Sequence, residues 1–403
     1  MLGLDMKTAA THDVLPITAS WLRKVCAATL ACITLVPLQA FAETRGYVFS
    51  MIHTAAYGDK SNCPGGGNGG PAEIKVRIVM RQGYTREQAE EIVARSGGSG
   101  YSLRDKSGKK IEYVERGRYQ GSPANIANYP DSIPDPRIET VAGHYAYGFN
   151  LDGKVQPGSF EDPDSHESGV DNQMWKALGC FEMYDVRLPV RPYSEEFAWD
   201  TAMDSMPAWL LSVTGDDLSK DGEVTITFDR SLNILLRDTR GGVMHGATFV
   251  VDPDPRSHSV FKGRITDRVL TITEPGDFSL QGESQFYPIL RFSKTHLRLK
   301  MNPDGSLAGL LGGYQPWQDY YYYLAVRAEE QAHIDLPGVF YAFRRLADGD
   351  LDPASGERTM SAAYWMEAVP AFHVSKEKNG RVTASASEWT EPAERVASAR
   401  KPE

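Results

Sequence analysis

Apolar and polar positions alternate with period two in two early stretches. Gly46 to His53 reads as a strand, and Glu73 to Arg81 (EIKVRIVMR) sets Ile74, Val76, Ile78 and Met80 against mostly charged neighbours, the period of a half-buried strand. A helix is predicted next. Thr85 with Gln88 three residues on forms a capping-box pattern, Ala89, Ile92 and Val93 supply the apolar face, and Ser96-Gly97 ends it. Tyr101–Arg104 and Lys110–Glu115 flank Asp105-Lys106-Ser107-Gly108 as a hairpin, and Gly117 to Arg137 reads as a long ordered loop. Val170 to Leu178 supplies one or two helical turns. Ser194 begins another helix, with Glu195 and Glu196 in its first turn, where the helix dipole favours negative charge, and with Phe197, Met203 and Trp209 as its apolar contacts.

From Gly222 the pattern shortens. Glu223–Phe228, Ser231–Leu236, His245–Val251, Ser259–Ile265, Val269–Thr273, Phe286–Phe292 and Leu297–Met301 are β-branched and aromatic runs separated by turn residues such as Asp229-Arg230, Gly241-Gly242 and Asp304-Gly305. Such runs without long helices between them predict an antiparallel sandwich or flattened barrel. Asp335 and Pro337 open a further helix, with Gly349 placed to cap it. Ala362–Phe372 is apolar enough to dock on the core, and Ser375–Glu403 reads as a mobile tail. The expected fold is mainly β within an α+β plan: a small α+β unit over residues 43–150, a linking loop and helical segment over 151–215, and a C-terminal antiparallel β-sandwich or flattened barrel over 216–374.

The N-terminus adds a compartment. Arg23 and Lys24 precede the apolar run Val25–Val36, and Ala40-Phe41-Ala42 follows as a small-x-small cleavage pattern. That run is too short to span a bilayer, so residues 1–42 read as a signal peptide and the protein as periplasmic or secreted. Cys26 and Cys32 leave with it, and the remaining pair, Cys63 and Cys180, is expected to form a disulfide. Losing Lys7, Arg23 and Lys24 with Asp5 and Asp13 takes the net charge from −10 to −11. Such an acidic surface disfavours nucleic acid and anionic lipid.

Candidate chemistry concentrates between Tyr147 and Cys180. Asn150, Asp152, Asp162, Asp164, Asp171 and Asn172 lie on a Gly/Pro-broken loop, an oxygen-rich set of the kind calcium takes. Asp162-Pro163-Asp164 shares an Asp-x-Asp core with Asp252-Pro253-Asp254 and with Asp348-Gly349-Asp350-Leu351-Asp352. The last is no EF-hand, because Pro353 stands where that loop needs glycine and Thr359 where it needs glutamate. Aspartate and proline are also common turn formers, so Asx-turns are the competing account of all three. Gly148–Gly153 and Gly169–Gln173 resemble a turn and a Gly-x-Asp-Asn element of uncharacterised secreted bacterial proteins, a resemblance that implies no activity.

The histidines show no zinc-ligand spacing, with His166 and His258 the two that end acidic clusters, and haem, flavin and dinucleotide signatures are absent, as is a Gly-x-Ser-x-Gly elbow. The CPGGGNGGP tract from Cys63 to Pro71 lacks the setting of a phosphate cradle and reads as a flexible connector. Tyr314, Trp317 and Tyr320 head an aromatic block that would either stack on a glycan or partner protein or fill the core. The sequence therefore points to an exported, non-catalytic protein with a calcium-stabilised loop and a glycan or envelope-protein partner. The rivals are a hydrolase acting through carboxylates on a polysaccharide or ester, and an envelope assembly subunit.

Overall fold

Inward-facing alternate residues build the centre of the protein. In a computed structural model that describes residues 42–96, 103–109, 129–202, 204–282, 289–331, 334–376 and 382–385, they belong to the staves of a closed antiparallel barrel. The staves are β1 (Glu43–Thr54), β4 (Pro207–Gly215), β5 (Gly222–Ile234), β7 (His258–Thr266), β8 (Val269–Ile272), β10 (Ile289–Met301), β11 (Leu307–Gln315) and β12 (Met360–Lys376), paired in that order. β12 closes the circle on β1 over the register Gly46↔Ala371 to Thr54↔Tyr364. Two shorter strands extend the wall, β6 (Ala247–Val250) on β12 and β9 (Phe278–Gln281) on β10. A separate hairpin, β2 (Phe160–Glu161) with β3 (Ser168–Val170), lies in the central loop.

β7 shows the rule most cleanly: Ser259, Phe261, Gly263 and Ile265 are buried while His258, Val260, Lys262 and Arg264 are exposed. It turns into β8 through Asp267-Arg268, both at positive φ, the geometry of a type I′ hairpin whose twist matches that of the strands. The interior is packed with rings. Phe228 meets Phe278 edge-on at 5.0 Å, Phe278 stacks on Phe292 at 5.7 Å, and Phe292 meets Tyr364 at 5.7 Å. Edge-to-face contacts of this kind add to the area that each ring buries.

The barrel is covered on one side. β11 and β12 are buried on both faces because Tyr147, Phe149 and Leu151 of the central loop pack over Leu310, Tyr314 and Ala363. The helices α1 (Pro71–Met80), α2 (Arg86–Arg95), α3 (Gln173–Leu178), α4 (Tyr193–Ala202), α5 (Trp317–Gln331) and α6 (Leu336–Leu346) complete the fold. Among the described residues no helix is long and apolar enough to cross a membrane.

Several expectations need correction. Glu73–Arg81 is not a strand but most of α1. Ile74 and Ile78, four apart, face the main core, while Val76 and Val79, three apart, face α2. A helix buried on two sides thus produces the alternation of a strand. The helix at Thr85 forms as expected, its capping box complete. Asp229-Arg230 is no turn, since Glu223–Phe228 and the start of Ser231–Leu236 are one strand, β5. The described part of Phe286–Phe292 likewise runs on through Leu297–Met301 as β10, with a register shift between Ser293 and His296 where Lys294 takes positive φ. Phe197 is exposed, and α6 ends at Ala347 rather than Gly349, whose amide instead donates to the Thr359 carbonyl.

The glycine tract is ordered. Gly66, Gly67 and Gly69 take positive φ, and the amides of Gly65 and Gly67 donate to the two carboxylate oxygens of Glu139 at 2.6 and 2.8 Å. Within the expected tail, Val382–Ser385 forms β13 on the end of β12. Ser375 and Lys376 end β12, while the rest of that tail, the expected signal peptide through residue 41, Met203, and most of the hairpin expected after Tyr101 lie outside the described residues. Ala42–Glu403 is one compact unit, so the segments 43–150, 151–215 and 216–374 all contribute staves to a single barrel.

Candidate functional site

Cys63 and Cys180 form the expected disulfide, with Cα atoms 5.6 Å apart. It fastens the glycine tract beside the end of α3, where the Asn68 amide also donates to the Cys180 carbonyl.

The central loop is held together by its own hydrogen bonds. Asp162 is fully buried. Its Oδ1 accepts from the amides of Asp164 and Ser165 and from the Ser165 hydroxyl, and its Oδ2 accepts from Arg298 Nη2 at 2.6 Å and more weakly from the Gly148 amide. Asp164 itself is exposed. Asn172 caps α3, its Oδ1 accepting from the Trp175 amide while its Nδ2 donates to the Tyr147 carbonyl. Asp171 Oδ2 accepts from the amides of Leu151 and Asp152, and burial pushes its carboxyl up to about 6. Asp152 accepts from the Lys154 amide and pairs with its ammonium. Asn150 donates to the Ser168 carbonyl, and its buried Oδ1 has no hydrogen-bond partner.

The other clusters are organised the same way. Asp348 accepts from the Ser361 amide and hydroxyl at 2.7 and 2.8 Å, and burial holds its carboxyl above the usual range. Asp352 accepts from Ser355, whereas Asp350 is exposed, 3.4 Å from Lys294 Nζ. Asp252 receives Arg230, and Asp254 caps a short turn at Pro255–Ser257. His258 Nδ1 lies 2.7 Å from Asp229, and His166, exposed at positive φ, lies 3.2 Å from Glu161. Among the described residues no three His, Cys, Asp or Glu side chains gather into a group able to hold a metal ion. The calcium expectation thus finds no support in the geometry: Asp162, Asp171, Asp348 and Asp352 accept from amides, hydroxyls or a guanidinium, Asp152 and Asp350 face lysines, and Asp164 is exposed.

Most of the aromatic block is core, with Tyr322 the exposed ring among Tyr314, Trp317 and Tyr320 to Tyr323. Tyr314, Trp317 and Tyr320 are 4, 3 and 4% exposed, which leaves no ring face for a ligand to stack on broadly. Trp317 meets Phe340 edge-on at 5.4 Å, and the Tyr320 hydroxyl donates to buried Glu195 in a short contact. Glu195 also accepts from the Thr54 amide and hydroxyl at 2.5 and 2.7 Å and from the Tyr184 hydroxyl at 3.3 Å.

One edge of the Tyr314 ring reaches a cleft of about 430 Å³. The cleft lies between β9, the start of β10, the end of β11 and the loop carrying Asp350 and Asp352. Phe278, Phe292 and Leu351 form its apolar wall, and Asp277, Ser279, Ser293 and Asp350 present polar atoms. Arg291, also in the lining, is fixed by Asp319 at 2.5 Å, with Asp352 3.9 Å away. Burial, then the charges of Asp171, Asp348, Asp152 and Asp350, push the Tyr314 hydroxyl well above its ordinary value. Lys294 Nζ lies 5.3 Å from the centre of the same ring.

Sequence reasoning singled out Tyr314, Asp350 and Asp352 but missed Asp277, Arg291 and the hydroxyls, because it is the pairing of β10 with both β9 and β11 that brings β9 beside residues 350–353. It read Glu195 as a first-turn charge favoured by the helix dipole, and nothing local to that helix signals Thr54 or Tyr320. Comparison with family models, with curated proteins and with solved structures finds no match.

Proposed function

We propose that the protein is an exported, non-catalytic binding protein that holds a short, uncharged saccharide in the Tyr314 cleft. The observation that carries this reading is the lining, in which exposed Leu351 and the almost fully buried Phe278 and Phe292 stand with Asp277, Ser279, Ser293 and Asp350, in a volume within the ordinary range for small-ligand sites. Saccharides present both a C–H face and hydroxyl donors, and Asp277 and Asp350 supply acceptors for the latter. The barrel interior is filled by rings, so the reading places the ligand at the wall. The disulfide is compatible with an oxidising compartment.

Calorimetric titration of the purified protein with neutral oligosaccharides tests it. Micromolar to millimolar binding is expected, and Asp350→Asn should weaken it by about tenfold, the size of one hydrogen bond to a charged acceptor. No heat from any saccharide, or an unchanged affinity in the variant, would overturn the assignment. The rival reading is a hydrolase acting through carboxylates, for which Asp277 and Asp350 line the cleft. The same mixtures analysed for cleavage products decide between the two.

A further inference from the structure

Staves of a closed barrel are ordinarily held by backbone ladders on both edges. β8 obeys this, pairing with β7 over Gly263–Thr266 and with β10 over Arg298–Lys300. β9 fills the same gap nearer the cleft but differs. Its ladder runs only to β10, from Ile289↔Gln281 to Phe292↔Phe278, and among the described residues no ladder joins it to β7.

Side chains hold its other edge. The Ser279 amide donates to Ser259 Oγ at 3.1 Å, and that hydroxyl lies 3.5 Å from the Ser279 carbonyl. The Gln281 amide donates to Ser257 Oγ at 3.1 Å, and Trp209 Nε1 donates to the Gln281 carbonyl at 3.1 Å. Interposed hydroxyls keep the two backbones farther apart than a ladder would. What holds β9 inward is the burial of Phe278 and Leu280, and Phe278 and Ser279 also wall the cleft.

We infer that β9 is a movable strap, which lifts from β7 while keeping its ladder to β10 and so opens the cleft into the ring-filled interior. Local opening begins where backbone hydrogen bonds are fewest, and this edge has none to its neighbouring stave. The strap stands on the hydrogen-bond pattern alone, and only its role in ligand uptake rests on the saccharide reading.

Residue-resolved amide exchange on the ligand-free protein tests the strap. Ser279 and Gln281 are expected to exchange at least about tenfold faster than the paired amides of β8, and Ser259→Ala should speed Ser279 further while leaving β8 unchanged. Exchange in β9 as slow as in β8 in the unmodified protein would overturn the proposal, as would equal acceleration of both strands by the variant. Added saccharide should slow Ser279 and Gln281. Saccharide binding with no change in β9 would remove the link to uptake, and an absence of binding would count against the cleft assignment without touching the strap.

Discussion

His373 and Asp171 oppose each other in their response to pH. His373 is buried on β12, its Nε2 donating to the Tyr47 carbonyl, so its Nδ1 accepts from the Ser212 hydroxyl in the neutral ring. Burial pushes it down to about 4, so the folded state favours the neutral ring. Its contribution is complete above the unfolded value near 6.5 and is lost as pH falls toward 4, about 3 kcal/mol in all. Asp171 carries the reverse sign. Its carboxyl near 6 favours the protonated form in the folded state, a contribution present below about 4 and lost as pH rises through 6, roughly 1–2 kcal/mol after allowance for solvent. Asp229 and Asp348, also raised, act with Asp171, and His53, also lowered, acts with His373. Urea titrations at pH 4, 6 and 7.5 should therefore show Asp171→Asn more stable than the parent at pH 7.5 and equal to it at pH 4. His373→Gln should flatten the rise in stability between pH 4 and 6. A parent-like pH profile in both variants would refute the assignment. The sequence singled out Asp171 only as a candidate calcium ligand, and it did not single out His373, whose partners Tyr47 and Ser212 arrive from β1 and β4.

Among the elements, those whose signals are local were legible, and those defined by two sets of neighbours were not. Thr85 and Gln88 satisfy each other within one turn, so the capping box could be read from four letters. α1 could not, since its two apolar faces answer to the main core and to α2 at once. The central loop lies between these cases. Its oxygen-rich side chains do not gather on one point; Asp162 instead pairs with Arg298, which comes from β10 and also contacts Glu167 at 3.2 Å. A fully buried carboxylate that loses its guanidinium is left uncompensated, so Arg298→Ala should cost about 3 kcal/mol in urea unfolding. Calcium and a chelator should give the same melting temperature. A calcium-dependent rise in melting, with Arg298→Ala nearly neutral, would restore the ion as what orders this loop.

At the scale of the whole molecule, the class of fold was visible and its closure was not. Turn-divided β-branched runs after Gly222 announce an antiparallel wall, yet nothing in them shows that β1, from the far end of the chain, pairs with both β4 and β12. The two staves supplied from outside residues 216–374 are β1 and β4, and together they carry Phe49 and Trp209 into the ring-filled interior, 6.0 Å apart. A fragment limited to residues 216–374 would therefore expose the free edges of β5 and β12 and leave the Phe228 ring without Phe49, its neighbour at 6.2 Å. Open hydrophobic edges of that kind pair with other chains. The expected outcome is a fragment that aggregates or stays unfolded, judged by circular dichroism and size-exclusion chromatography, while a chain spanning residues 43–385 folds. A soluble, cooperatively melting 216–374 fragment would show that the barrel closes without its first stave and that residues 43–215 decorate a self-sufficient domain.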